Sequence, residues 1–345
     1  MKRYLSLALA LIMVLALTAC GSKSDPSATD SDSKSTEKVV LKYSELNSEQ
    51  TSQYRWDVKF KELVEEKTNG SVEIDIYTNG QLSSQDPEAV TNGICDILMC
   101  VPSNWSDYYS EIAAVDAPYA ITSAEEGIKV FATPDSPVLA RANEALKDSS
   151  VIWLSAYYEG SREMTTTDTP VSTLADLKPL KMRVVNSDLY IQLFKAFGCE
   201  ATPMAWSEVA SGLITGVIDG QENPADVPYS SSFYEVQKYI SATNHIAEAW
   251  VVGMNPDKFA SLDEDLQTLI AETAQEMQQW KLDYDNATDQ ADIDFMVEKG
   301  MEYNELDEAG FAAFQEVSKS LYPEFQKIVD NDDLWNSTIE FAANH

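Results

Sequence analysis

The sequence predicts an α/β protein made of two strand–helix units tied together by one long helix. Three observations carry that expectation. Short apolar strand-like runs alternate with helix-period segments between Val39 and Val101. The same alternation returns between Lys181 and Gly220. From Asp257 to Lys299 there is neither glycine nor proline, so a helix can run there without a break.

In the first unit, Val39–Ser44 reads as a strand. Tyr54–Thr68 places Trp56, Phe60, Leu63 and Val64 on one helical face, and Asn69-Gly70 ends that helix. Val72, Ile74 and Ile76 alternate with Glu73 and Asp75, the pattern of a half-exposed strand. A helix around Pro87–Asn92 and a buried strand Asp96–Val101 follow, completing the order of a parallel α/β sheet. Val151–Tyr157 is a further buried strand. In the second unit Lys181–Val185 is a strand. Leu189, Leu193, Phe194 and Phe197 mark a helix stopping at Gly198. Ser207 is placed to cap a short helix through Ile214. Val217-Ile218-Asp219 is read as a strand closing on Gly220, and Thr243–Met254 as a long extended run leading back to the first unit. A helix over roughly Asp263–Lys299 is about 55 Å long at ~1.5 Å per residue, more than the ~30 Å of a small domain. It therefore braces both units, unless it breaks into two helices near Asp285-Asn286.

The N-terminus is of a different kind. Lys2 and Arg3 precede the mostly apolar run Tyr4–Thr18, and Leu17-Thr18-Ala19-Cys20-Gly21 follows. A charged start, a short apolar core and small residues at a cut point describe an export signal. The run is shorter than the ~20 residues of a membrane span. Residues 21–38 contain no Val, Ile, Leu or aromatic residue, so they form a flexible tether rather than a packed element. The formal net charge is −33, with 24 Lys and Arg against 57 Asp and Glu. That excludes a nucleic-acid partner, because phosphate binding needs a basic surface. Three cysteines remain beside Cys20, namely Cys95, Cys100 and Cys199, an odd number that rules out a full disulfide framework. We read them as small buried hydrophobes. Two histidines, His245 and His345, and no CxxC, HExxH, GxSxG or GxGxxG motif leave almost no raw material for metal or nucleophile chemistry. No cofactor is expected.

Two resemblances add to this. The Cys after the cut at Ala19 resembles the bacterial lipoprotein signal, which implies lipidation of Cys20. The alternatives are a plain signal peptide or an anchor helix. The segment from Gly160 to His245 resembles the DctP-like solute-binding proteins of TRAP transporters. It carries Gly160-Ser161-Arg162, Leu174-Ala175-Asp176-Leu177-Lys178, Leu180-Lys181-Met182-Arg183-Val184 and Trp206-Ser207-Glu208-Val209. Gly216-Val217-Ile218-Asp219-Gly220-Gln221-Glu222-Asn223 and Thr243-Asn244-His245 complete the set. Phe60–Gly70, Gly80-Gln81-Leu82, Gly93–Ile97 and Pro118-Tyr119 extend the likeness to the first unit. Met182 and Cys95 depart from the usual residues. The resemblance implies a two-domain periplasmic-binding-protein-like fold (type II-like) with a long helix bracing both domains. We accordingly divide the chain into a signal peptide (1–19), the lipidated Cys and tether (20–38), domain I (39–159 plus 249–285) and domain II (160–248 plus 286–345).

It also implies a function: an extracytoplasmic receptor, anchored by its lipid to the cell membrane. Such a receptor takes up a small organic acid between the domains and delivers it, as a monomer, to TRAP membrane subunits. The resemblance assigns Arg183 to the ligand carboxylate. Physical chemistry supports this, since a mid-strand arginine at the edge of a parallel sheet faces the crevice and its paired donors match a carboxylate. The competing reading is a structural ion pair. Arg162 matches a second basic contact or a hinge ion pair, and Asn223 a hydrogen-bonding residue. Asn47 follows the first strand, Trp105 follows the strand Asp96–Val101, and Trp206 and Tyr229 are candidate apolar walls. A binding protein of an ABC-type importer and an extracellular lipid-anchored enzyme are the alternative functions. The bracing helix and the Arg183 and Asn223 motifs argue against the first. The lack of a nucleophile–base set argues against the second.

Overall fold

Why these segments adopt strand and helix is visible in what they bury. The computed structural model describes residues 38–344 apart from 84–85, 107, 123, 128–129, 131–136 and 146–150. The export signal, Cys20 and the tether through residue 37 lie outside the described residues.

The first sheet holds β1 (Val39–Ser44), β2 (Val72–Tyr77), β3 (Ile97–Cys100), β4 (Ile152–Ser161) and β10 (Ala247–Met254) in the order β2-β1-β3-β10-β4. The second holds β5 (Glu163–Thr166), β6 (Lys181–Val184), β7 (Glu200–Pro203), β8 (Gly220–Asn223), β9 (Tyr239–Ala242) and β11 (Glu302–Glu305), ordered β11-β9-β5-β8-β6-β7. Both sheets are mixed rather than purely parallel. β1 runs parallel to β2 and β3, and β6 to β7 and β8, while β10 is antiparallel to β3 and β4 and β5 is antiparallel to β8 and β9. The antiparallel members are the strands that carry the chain between the sheets. β4 passes into β5 through Arg162, and β10 returns beside β4 with Glu248 opposite Gly160. Gly160 sits at φ +142°, and an added Cβ there would lie 3.2 Å from Pro224 Cβ, a conformation that favours glycine.

The helix Ser52–Lys67 buries Trp56, Phe60 and Val64 against Leu41, Tyr43, Ile97 and Met99. Asn69 and Gly70 end it with positive φ. The second core gathers Met182, Val184, Leu189, Leu193, Phe194 and Phe197 around β6 and the helix Asp188–Phe197, which stops on Gly198 at φ +100°. Phe314, Phe325, Val329 and Trp335 from the C-terminal helices join that core, together with Ala113, Ala114 and Tyr119. The three cysteines are buried and free.

The long helix is unbroken over Glu264–Glu298, 35 residues, about 50 Å at ~1.5 Å per residue. The Asp263 side chain caps it by accepting from the Leu266 N–H at 2.9 Å. Its first half buries Ile270, Ala274 and Met277 in the first core, and its last turns place Met296 against Ile240 of β9 and Met301 in a separate small cluster at the second sheet. Two expectations shift. The helix read from Ser207 spans Trp206–Thr215 with Ala205 at the N-cap and no side-chain cap. The strand read at Val217–Asp219 lies at Gly220–Asn223. The cause is that the buried residues there are polar and find their partners far away in sequence.

Candidate functional site

The site forms where strands of both sheets end. Asn47 follows β1, Asn104 follows β3, Arg183 is the third residue of β6, and Asn223 is the last of β8. Carboxyl ends of neighbouring parallel strands make such a crevice in open α/β sheets. An inner cavity of about 40 Å³ is lined by residues that include Asn47, Arg162, Arg183, Trp206, Asn223, Glu248 and Trp250. It shares Leu46, Asn104, Arg183, Val185 and Trp206 with an outer cavity of about 280 Å³, which Asp86, Tyr108 and Asn186 also line.

Arg183 is 5% exposed, yet it forms no ion pair among the described residues. Its Nε donates to the Met204 carbonyl at 3.1 Å, and its Cζ lies 5.4 Å from the Trp206 ring centroid, within cation–π range. Burial pulls its pKa down from the ordinary value to about 10, which the negative charge of Glu222 only partly offsets. A cation is thus held with its outer donors turned to a cavity and no anion to match it.

Arg162 is different. It is buried and ringed by acids. Its Nε and Nη2 donate to the two carboxylate oxygens of Glu222, Nη2 also reaches the Glu222 carbonyl at 2.6 Å, and Nη1 lies 2.7 Å from Glu248 Oε2. Its guanidinium stands 5.3 Å over the Tyr190 ring. Burial works against this charge, but Glu222 and Glu248 outweigh it and raise the pKa well above the ordinary value. Burial works to raise Glu222 as well. The charge of Arg162 and the hydrogen bonds from His245 and Arg162 reverse that and hold it at about 2. His245 Nε2 lies 3.1 Å from Glu222 Oε2 and Nδ1 lies 3.0 Å from Thr243 Oγ1. Burial keeps the His245 pKa low, so the neutral ring donates from Nε2 to the carboxylate and accepts at Nδ1. Burial pushes Glu248 up to about 7 and Asp116 up to about 8, with Arg162 opposing in both cases.

Asn223 Nδ2 donates to Gln221 Oε1, and Gln221 Nε2 donates to Thr165 Oγ1 at 2.7 Å. Asn47 Nδ2 is buried beside the Glu45 carboxyl, whose Oε1 accepts from the Asn47 N–H at 2.6 Å. Trp206 forms one wall of both cavities. The structure therefore brings Arg183, Arg162, Asn223, Asn47 and Trp206 together. Trp105 and Tyr229, expected as contacts, line neither cavity. Trp105 is drawn wholly into the first lobe among Cys95, Cys100, Ile112 and Trp153, stacked 6.5 Å from Tyr109. Tyr229 packs edge-on to Phe295 of the long helix at 5.3 Å. Sequence reasoning missed Glu248 and Asp116. An isolated acid inside the apolar run Ile246–Met254 was the available sign of a buried partner.

A second polar cluster stands at the crossing of the lobes. Lys281 Nζ on the long helix lies 2.7 Å from Glu159 Oε2 and 2.6 Å from both Asp285 oxygens. Ser52 Oγ and Gln53 Nε2 each reach both Glu159 Oε1 and Asp226 Oδ2, at distances between 2.6 and 3.3 Å. Burial raises the pKa of Glu159 and of Asp226 and brings Asp285 to about 6.

This architecture defines a class, the two-lobed α/β receptor with a cleft between its sheets and a helix spanning both. The sequence profile of bacterial extracellular solute-binding proteins, family 7 (DctP), matches residues 43–328, and the chain belongs to that family. It is 31% identical over 275 residues to the 2,3-diketo-L-gulonate-binding periplasmic protein YiaO of Escherichia coli, covering 79% of this chain and 83% of that protein. Its fold matches a TRAP periplasmic solute-binding protein of Chromohalobacter salexigens with bound D-glucuronate, at TM-score 0.81 and 28% identity, over 88% of this chain and 100% of that one. A TRAP solute-binding protein of Shewanella oneidensis with bound succinate matches at TM-score 0.80 and 25% identity, over 88% and 99%. The family consists of extracytoplasmic solute receptors, not enzymes. Among the described residues no helix is long and apolar enough to cross a membrane.

Proposed function

We propose that this chain is the receptor of a TRAP transporter. It takes a small carboxylate-bearing solute into the cleft and passes it to integral-membrane subunits. Arg183 receives the carboxylate, Asn223 and Asn47 hydrogen-bond the solute, and Trp206 flanks it. Arg162 serves the site mainly as the buried cation that holds Glu222 and Glu248 in place. The observation that carries this reading is the unmatched Arg183 charge, because a desolvated guanidinium facing a cavity is stabilised by an anion arriving from outside. The D-glucuronate and succinate of the structural relatives each bear a carboxylate, which agrees with it. The lobes correspond to 39–159 plus 249–285 and 160–248 plus 286–345. Cys20 is lipidated and tethers the receptor, a monomer, to the outer face of the cell membrane, where tethering raises its effective concentration for docking.

A thermal-shift screen across small organic acids tests this. An acid at about 100 times its dissociation constant adds about 2.7 kcal/mol of stability, so the expected result is a clear rise in Tm for at least one acid. No rise for any carboxylate would sink the proposal. For the anchor, Cys20→Ser should release the protein from the membrane fraction. Retention of that variant would contradict lipidation at Cys20.

A further inference from the structure

The receptor reading leaves open which carboxylates fit, and the charges of the inner cavity narrow the choice. Among the described residues lining the two cavities, Arg183 and Arg162 are the only cations. Arg183 is unmatched, but Arg162 already faces two acids: both Glu222 oxygens take its hydrogen bonds, and Glu248 Oε2 lies 2.7 Å from Nη1. Beyond Arg183, then, the inner end of the cleft carries one cation against two carboxyl groups, and Glu248 itself lines it. A solute with a second carboxylate would bring that charge toward Glu248 with no free cation among the described lining residues to receive it, and above about pH 7, where Glu248 is ionised, like charges at short range in a desolvated site repel strongly.

The polar groups there have a further property. Glu248 Oε2 is paired with Arg162 Nη1 at 2.7 Å, and because each carboxylate oxygen accepts more than one hydrogen bond it keeps acceptor capacity toward the cavity it lines. Asn47 lines the same cavity, and its amide both donates and accepts. Asn223 Nδ2 is engaged with Gln221, which leaves its carbonyl oxygen as an acceptor. A hydroxyl both donates and accepts, so it can satisfy either kind of group, whereas an ionised carboxylate only accepts. Resting on the receptor reading, we propose that the cleft selects a monocarboxylate whose other polar groups are hydroxyls, a sugar-acid-like solute, and that Glu248 is the residue that rejects a second carboxylate. The carboxylate lies on Arg183, and the hydroxylated end lies toward Asn47, Asn223 and Glu248.

Calorimetric titration of the ligand-free protein at pH 8, where Glu248 is ionised, with three panels decides this: five- and six-carbon aldonates and uronates, four- to six-carbon dicarboxylates, and α-amino acids. The expected result is that the best hydroxylated monocarboxylate binds at least tenfold more tightly than any member of the other two panels. The isosteric Glu248→Gln variant, checked for folding by circular dichroism, should narrow the gap between sugar acid and dicarboxylate, a ratio that a merely structural role would leave unchanged. A dicarboxylate or amino acid binding as tightly as the best sugar acid overturns this inference and leaves the receptor reading intact. An unaltered ratio in Glu248→Gln removes Glu248 from the selection. Binding by no compound of any panel overturns the inference and the receptor reading together.

Discussion

Two arginines about one cleft show how burial alone does not define a role. Arg162 has Glu222 and Glu248 as counter-charges, so its loss leaves two buried acids without a cation. Breaking a buried pair from one side costs about 3–5 kcal/mol, and Arg162→Met should lose stability of that order in urea unfolding. Among the described residues Arg183 has no such partner. Its depressed pKa records a charge held out of water that Glu222 only partly offsets, so Arg183→Met should unfold at no lower urea concentration than the wild type. Equal losses in the two variants would contradict the division of roles. The place of Arg183 at the cleft was legible in the sequence, because a charged residue in the strand Lys181–Val184 has to leave one face. The partners of Arg162 were less so: Glu248 lies 86 positions further along the chain and meets Arg162 only through the β4–β10 pairing. Trp105 and Tyr229 were misplaced because an aromatic side chain after a strand serves packing as readily as a cleft, and only the surrounding volume decides.

At the scale of elements, the long helix was readable almost to the residue, since Gly- and Pro-free sequence, Asp263 as cap and Gly300 beyond its end all agree. The strand Gly220–Asn223 was not, because apolar pattern points to Val217 and Ile218, while Gln221, Glu222 and Asn223 are buried through hydrogen bonds to Thr165, Arg162 and one another. The helix also carries Lys281 into the acid cluster of Glu159, Asp285 and Asp226, with Ser52 and Gln53 completing it. That cluster ties four chain segments at the lobe crossing. Lys281→Met should cost about 3 kcal/mol or more at pH 8, where the acids need a cation. The loss should shrink near pH 5.5, because the raised pKa values of Glu159 and Asp226, and that of Asp285 near 6, let protonation replace the missing charge. Urea unfolding at the two pH values measures this, and a loss independent of pH would contradict it.

Over the whole molecule, excess acidity and buried carboxyls act together. Burial pushes Asp116 and Asp289 up to about 8 and Glu45, Glu163 and Glu248 up to about 7. Each group binds its proton more tightly in the fold than in the unfolded chain, where carboxyls titrate near 4. The stability each contributes is therefore complete below that unfolded value and lost as pH rises through 7 and 8. Glu222, held at about 2, works in the opposite sense but only below about pH 4.5. Self-repulsion from a net charge of −33 also eases on acidification. Scanning calorimetry of the ligand-free protein should show Tm rising as pH falls from 8.5 to 5, and a flat or falling profile would contradict this. The central claim, that the molecule is a receptor whose cleft captures a carboxylate on Arg183, is tested most directly by titration calorimetry. Wild type and Arg183→Ala are compared side by side with the acid that gives the largest thermal shift. A charge-assisted contact is worth about 1.5–3 kcal/mol, so the variant should bind roughly tenfold to more than a hundredfold more weakly while remaining folded. Equal affinity in the two proteins would contradict the account.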